Sequence, residues 1–190
     1  MTLLELLSEV LSKLDGLNIP YMVVGSFASS RYTVTRYTED IDLLVRLERS
    51  TVERFCQTFI RDFYLDRELV NQAVLRGTSF NIIHVETTIK LDFFVSRSRY
   101  NEEGLSRRVK QQLDPESGFA IYLQSPEDTV LSKLVWFRQG GEISEKQWGD
   151  ITGVLKSQAA MLDSTYMQKW AAELGVSDLL ARAQAEVNPM

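Results

Sequence analysis

The segment YMVVGS at residues 21–26 runs an apolar strand directly into a Gly-Ser turn. Two further segments are equally apolar but carry carboxylates, namely EDIDLLV at residues 39–45 and IKLDFFV at residues 89–95. Successive residues of a strand alternate between the two faces of a sheet, so we expect Asp40 and Asp42 on one face, roughly 6–7 Å apart. The three segments together predict a sheet that carries carboxylates on one of its faces.

Asp92 interrupts an otherwise apolar strand. A carboxylate in such a place is costly unless it is paired or binds a metal. Two aspartates on one strand and one on another can converge on a pair of hard cations, and Mg²⁺ usually shares such a site with substrate phosphates. The Gly25-Ser26 turn would supply backbone N–H groups for those phosphates at the start of a helix. The structural alternatives are a Ser helix cap at this turn and a salt bridge from Asp92 to Lys90.

The order of these motifs resembles the nucleotidyltransferase superfamily, the fold shared by DNA polymerase beta: Gly25-Ser26, then Asp40-Ile41-Asp42, then Asp92. A later segment, SPEDTVLSKL at residues 125–134, resembles the helix that follows the catalytic core in small bacterial nucleotidyltransferases. Abortive-infection type IV toxins are among these relatives. The likeness of the core spans roughly residues 20–95.

The resemblance implies metal-dependent transfer of an NMP from an NTP such as ATP to an acceptor hydroxyl, with release of pyrophosphate. Asp40 and Asp42 would hold the metal that carries the triphosphate. Asp92 would join them in holding a second metal, which activates the acceptor. Mg²⁺ or Mn²⁺ is the expected metal, Gly25 would let the backbone approach the phosphates, and Ser26 would donate to a phosphate oxygen. The acceptor stays open between RNA such as a tRNA end, a protein side chain and a small molecule.

Lys133 lies on the helix that resembles the family's post-core helix, and the resemblance implies that it contacts the nucleotide. The alternative is a solvent-exposed lysine. Arg138 on the same helix is a weaker candidate, and Asp150 resembles a family aspartate with a structural or nucleotide-positioning role.

Basic residues form a second candidate surface just after the third carboxylate segment. Its members are Arg97, Arg99, Arg107, Arg108 and Lys110. They are interpreted either as a solvated loop and helix or as a phosphate-facing rim for an acceptor. Arg31 and Arg36 flank the loop before Asp40 and could also touch phosphates, although a loop arginine is more often only exposed.

Composition limits the other classes of function. The chain has 190 residues and a net charge of −5, which fits one compact domain or a core with a small appendage and argues against a general nucleic-acid coat protein. A single cysteine and a single histidine exclude an internal disulfide and a His/Cys zinc cluster. Cys56 lies on a helical apolar stripe, so we interpret it as a core residue, and His84 as a satisfied core histidine. The N-terminus carries Glu5 and Glu9 without a basic start, so we expect a cytoplasmic protein with no signal peptide and no membrane span.

Periodicity and capping signals predict an α/β (α+β) fold, in which residues 1–124 form a small mixed-sheet core with an N-terminal helix and residues 125–190 form a helical region packed on it. The expected helices cover about 3–17, 26–33, 50–62, 67–76, 126–139, 145–157, 164–174 and 177–186. The expected strands cover about 21–24, 40–47, 79–85, 88–95 and 119–123. Gly104 and residues 114–118 are expected in loops.

Two other functions use the same residues. A non-catalytic nucleotide-sensing or partner-binding module could stand on this fold, because fold does not dictate function. A metal-dependent phosphodiesterase would need similar carboxylates. The Gly-Ser turn before the acidic pair favours transfer from a triphosphate.

Overall fold

The computed structural model describes residues 1–33, 40–114 and 118–187. Its helices are α1 (Leu3–Gly16), α2 (Gly25–Tyr32), α3 (Val52–Phe59), α4 (Arg67–Arg76), α5 (Arg99–Arg107), α6 (Pro126–Gln139), α7 (Glu145–Ser157), α8 (Ser164–Glu173) and α9 (Ser177–Val187). Its strands are β1 (Tyr21–Val23), β2 (Ile41–Val45), β3 (Phe63–Tyr64), β4 (Ser79–His84), β5 (Lys90–Val95), β6 (Val109–Asp114) and β7 (Phe119–Leu123). A 3₁₀ turn at Arg49–Thr51 leads into α3.

Within these residues the strands form one mixed sheet with the order β3-β4-β5-β2-β1-β7-β6. The pairs β2–β5 and β1–β7 are parallel, and the other neighbours are antiparallel. The predicted α/β fold with a mixed sheet, flanking helices and a helical C-terminal region is therefore confirmed.

One face of the sheet, which we call the apolar face, packs against α3. Phe93 lies on this face, and its ring stacks on Phe80 at 5.1 Å and meets Phe55 of α3 edge-on at 5.5 Å. Phe59 follows Phe55 one turn later and stands 4.5 Å from it. Aromatic pairs in these geometries add to the burial of their area, so this cluster anchors the helix to β4 and β5.

The opposite face carries the predicted carboxylates, and we call it the carboxylate face. Part of it is covered by α5, because Leu105 packs with Met22 and Leu44 in a small apolar cluster. Phe94 and Tyr122 border this cluster. The part of the same face nearer the start of β2 and β5 carries Asp42 and Asp92 instead.

The predicted elements agree with the structure where local signals were strong. α4 begins after the Asp66 cap and ends at Gly77, which has the left-handed φ of +67°. The predicted loop at Gly104 is wrong, since this glycine is buried inside α5. That helix is capped by Ser98 and held by the packing of Leu105. The two edge strands β3 and β6 were not predicted.

The chain divides into two compact units, one of Met1–Phe27 with Tyr37–Leu123 and one of Ala28–Arg36 with Gln124–Met190. The first holds the sheet, and its N-terminal helix α1 buries Leu6, Leu7, Val10, Leu11 and Leu14. The second is helical and buries Trp170 of α8 in its core. In the described ranges no helix is both long enough and apolar enough to cross a membrane.

Candidate active site

The turn after β1 brings its backbone against the first acidic strand. The Val24 N–H donates to the carbonyl oxygen of Asp42 at 2.9 Å. Gly25 then adopts φ +66°, and a Cβ added there would lie 2.1 Å from Asp42 Oδ2. Only glycine fits both the left-handed backbone and this close approach. The structure therefore requires a glycine at this position because of the Asp42 carboxylate and the positive φ, and the approach of phosphates to Gly25 stays a prediction. Ser26 follows in the first turn of α2.

Asp42 and Asp92 are direct neighbours across the parallel pair β2–β5. Paired residues of adjacent strands project to the same face, so both carboxylates lie on the carboxylate face. Asp40 precedes β2 by one residue, is exposed, and falls two positions before Asp42 on the same side of an extended chain. The structure thus pairs Asp42 with Asp92, and Asp40 lies immediately before the start of β2.

Lys90 places a positive charge among these carboxylates. Its Nζ lies 2.7 Å from Asp92 Oδ2, with 46% of the lysine side chain and 24% of the aspartate side chain exposed. The hydrogen bond to Asp92 raises the pKa of Lys90, and the negative charges of Asp92, Asp40 and Asp42 raise it further against the opposing effect of desolvation. The salt bridge between Lys90 and Asp92, which the sequence analysis gives as the structural alternative, is present. The charges of all three aspartates act on the pKa of Lys90.

Asn81 on β4 is a residue of this face that sequence reasoning missed. It is exposed and stands directly opposite Asp92 in the antiparallel pair β4–β5. Along an antiparallel pair of strands, residue pairs that are hydrogen-bonded alternate with pairs that are not. His84 and Ile89 form a hydrogen-bonded pair. Asn81 and Asp92 lie three positions further along and therefore form a pair that is not hydrogen-bonded, in which the side chains lie closer together. Only the register of the two strands reveals this amide beside the carboxylate.

The donor set on the carboxylate face suits a hard divalent cation, because it offers carboxylate oxygens beside a backbone turn that a side chain would block. Asp40, Asp42 and Asp92 are the residues that could hold Mg²⁺ or Mn²⁺. Among the described residues, however, no group of three or more His, Cys, Asp or Glu side chains is already arranged around a metal position. Asp92 would have to turn from Lys90 to complete one.

Lys133 belongs to the helical unit, where the structure pairs it with Asp150. The two atoms Lys133 Nζ and Asp150 Oδ2 are 2.9 Å apart, with 10% and 15% of the side chains exposed. Ser29 of α2 also donates to Asp150, at 3.5 Å. The alternative of a solvent-exposed lysine is wrong. The two residues that the resemblance selected on α6 and α7 form one buried ion pair.

Several other basic residues serve as structural contacts. Arg97 donates to the carbonyl of Leu75 in the last turn of α4. Arg108 donates to the Leu105 carbonyl at 2.6 Å, and its guanidinium lies 4.4 Å from the ring centroid of Tyr122. Arg138 donates to three acceptors, which are the carboxylates of Glu142 and Asp178 and the carbonyl of Gly175.

The remaining basic residues that the sequence analysis considers as phosphate contacts differ in their exposure. Lys110 and Arg31 are exposed, Arg99 is exposed at the start of α5, and Arg107 is partly buried. Arg36 lies outside the described residues. The contacts of Arg97 and Arg108 favour the structural interpretation for these two members of the basic segment.

Cys56 and His84 are both buried, as predicted for core residues. Burial raises the pKa of the Cys56 thiol, which disfavours the thiolate form needed for a nucleophile. A ring nitrogen of His84 lies 2.9 Å from the Thr87 hydroxyl, so its polar group is satisfied. Neither residue joins the carboxylate face.

No protein-family model matches the chain, and no curated protein matches it. Solved structures do. A nucleotidyltransferase-like protein from Paracoccidioides brasiliensis is 19% identical, with a TM-score of 0.54 over 95% of this chain and 90% of its own. The antibiotic-resistance factor ANT(2″)-Ia in solution is 12% identical, with a TM-score of 0.59 over 97% of both chains. Its crystal structure with adenylyl-2″-tobramycin is 15% identical, with a TM-score of 0.53 over 92% of this chain and 98% of that one. These likenesses show that the chain has the fold of nucleotidyltransferase-like proteins.

Proposed function

We propose that this protein is a metal-dependent nucleotidyltransferase that moves an NMP from an NTP to an acceptor hydroxyl. The observation that carries the proposal is the in-register pair of Asp42 and Asp92 beside the Gly25 turn. A carboxylate pair next to backbone that only glycine can form matches the needs of a triphosphate bound through a divalent cation. The fold of the structural neighbours supports the same class of activity.

In this proposal Asp40 and Asp42 would hold the cation that accompanies the triphosphate, and Asp92 would join them in holding a second cation toward the acceptor. Mg²⁺ or Mn²⁺ bound there would neutralise the phosphates and stabilise the charge on the attacking and leaving oxygens. The Gly25 backbone and the Ser26 hydroxyl orient the phosphates. The acceptor oxygen forms a bond to the α-phosphorus, the bond to pyrophosphate breaks, and the acceptor proton passes to Asp92 or to solvent.

The acceptor class is proposed by analogy with one neighbour. ANT(2″)-Ia was solved with adenylyl-2″-tobramycin, an adenylylated small molecule, and the likeness covers nearly the whole of both chains. We therefore rank a small-molecule hydroxyl first, with ATP as the donor, ahead of a tRNA end or a protein side chain. Lys133 is kept as a proposed nucleotide contact, although its ion pair with Asp150 would have to open for that role.

The test follows two labels in parallel. The protein is incubated with each NTP carrying either an α- or a γ-phosphate label, with Mg²⁺ or Mn²⁺, and with a small-molecule extract, total RNA or protein as acceptor. We expect the α label to appear on one acceptor class and the γ label to leave as pyrophosphate. Transfer of the γ label, or release of both labels as hydrolysis products, would contradict nucleotidyl transfer. Asp92→Asn is the loss-of-function control, and Glu103→Gln is the matched charge control on the exposed side of α5.

The second candidate is a non-catalytic nucleotide-binding module. One observation favours it, namely that Lys90 already pairs with Asp92. Such a module would bind NTP and show no transfer to any acceptor class. A gain in thermal stability with Mg²⁺–ATP, together with no label on any acceptor class in the experiment above, would select this function.

A further inference from the structure

Lys90 is a charged residue of the carboxylate face that the proposed reaction does not use. It is the first residue of β5, two positions before Asp92, and therefore projects to the same face. The register that pairs Ile41 with Leu91 places Lys90 beside the position of Asp40. The lysine thus stands at the point where the two acidic strands begin, with its ammonium on Asp92 Oδ2.

Lys90 and a divalent cation would use the same carboxylate. Lys90 Nζ lies 2.7 Å from Asp92 Oδ2. A divalent ion at Asp92 would need the carboxylate oxygens at about 2.0–2.1 Å, where the lysine ammonium would repel it at short range. The ammonium and the metal therefore compete for the same oxygens.

The Lys90 side chain can also move away from Asp92. Nearly half of its side chain is exposed, and its flexible four-carbon stem ends in a strongly hydrated ammonium. An exposed ion pair contributes little and is easily exchanged. The buried pair of Lys133 and Asp150 lacks this freedom.

We propose that Lys90 is an internal counter-cation that occupies the metal position at Asp92 in the nucleotide-free protein. It makes the empty site a poor binder of metal, so that the metal enters together with the nucleotide rather than ahead of it. This inference rests on the proposed function, because it presumes that the three aspartates bind a divalent cation. The role is one of positioning, since Lys90 acts through Asp92.

The test is a Mn²⁺ titration of the nucleotide-free protein, followed by calorimetry or by the electron paramagnetic resonance of unbound Mn²⁺. Lys90→Met keeps the length of the side chain and removes the charge. We expect it to bind Mn²⁺ roughly two- to fivefold more tightly than wild type, the range of an exposed ion pair. Lys90→Arg should show no such gain. Lys110→Met is the matched control, because Lys110 is an exposed lysine at the far edge of the same sheet.

Each outcome decides a different claim. Equal or weaker Mn²⁺ binding by Lys90→Met would overturn the proposal, as would an equal gain in Lys110→Met. If wild type binds Mn²⁺, Asp92→Asn does not, and Lys90→Met matches wild type, the metal site of the proposed function stands and only the role of Lys90 fails. If no variant binds Mn²⁺ either alone or with ATP, both proposals fail. The strongest support would be the following pair of results. The wild type binds Mn²⁺ only when ATP is present, and the Lys90→Met variant binds Mn²⁺ without ATP.

Discussion

The two faces of β5 differ in what their side chains do. Phe93 on the apolar face is fully buried among aromatic rings, whereas Asp92 and Phe94 on either side of it in sequence point to the carboxylate face and keep part of their surface exposed. Alternation along one strand thus separates residues that hold the fold from residues that are available for chemistry. Substitutions on the apolar face should therefore reduce stability, whereas substitutions on the carboxylate face should reduce ligand binding.

Phe93→Ala should give the largest loss of stability. Removing a ring that packs on Phe55 and Phe80 leaves a cavity, at a cost of about 3–5 kcal/mol in the free energy of unfolding. Urea denaturation measures this quantity. Phe94→Ala is the control on the opposite face, and its smaller expected loss follows from its partial exposure. Equal losses for the two variants would contradict the distinction between the faces.

Because of their different burial, the two lysine–aspartate pairs should contribute differently to the free energy of unfolding. Lys133→Met leaves Asp150 without its buried cation, and we expect a loss of about 3 kcal/mol in unfolding free energy, the low end for breaking a buried pair. Lys90→Met should cost less than about 1 kcal/mol, because its pair is exposed. Lys146→Met on the exposed surface of α7 is the control for loss of charge alone. If Lys133→Met and Lys90→Met are equally stable, burial does not distinguish the pairs.

Gly25→Ala should reduce both the stability of the protein and its affinity for Mg²⁺–ATP. The left-handed backbone costs roughly 1–2 kcal/mol for a residue with a Cβ. The added Cβ also displaces the Asp42 carboxylate, and the loss of one charge-assisted contact should weaken Mg²⁺–ATP binding by about tenfold. Gly141→Ala is a matched control, since Gly141 has φ +77° and nothing within 4 Å of an added Cβ. It should lose stability and leave ATP affinity unchanged; equal loss of affinity would contradict a specific clash with Asp42.

Local signals explain how much of the fold could be predicted. The ranges of α4 and β7 are predicted correctly, because caps mark the ends of α4 and a short continuous apolar run marks β7. α5 is not among the predicted helices and a loop is expected at its Gly104, because the packing that stabilises this helix comes from residues far away in sequence. β3 has only two residues and is defined by its pairing with β4.

The candidate site was predictable only in part, for a similar reason. Alternation placed Asp40 and Asp42 on one side of their strand, but the direct pairing of Asp42 with Asp92 depends on the parallel register of β2 and β5. The burial of Lys133 was not foreseen, because its partner Asp150 lies on the following helix. The domain boundary predicted at residue 124 and the roles of the site residues stay predictions.

The thermal stability of Asp42→Asn with and without Mg²⁺–ATP shows whether the three aspartates bind a metal together with a nucleotide. A ligand at about 100 times its dissociation constant stabilises the wild type by about 2.7 kcal/mol. We expect Asp42→Asn to lose this gain, while its stability without ligand stays equal or rises slightly as like-charge repulsion falls. Glu103→Gln should keep the full gain. A wild-type Mg²⁺–ATP shift in Asp42→Asn, or no shift in wild type, would contradict the account.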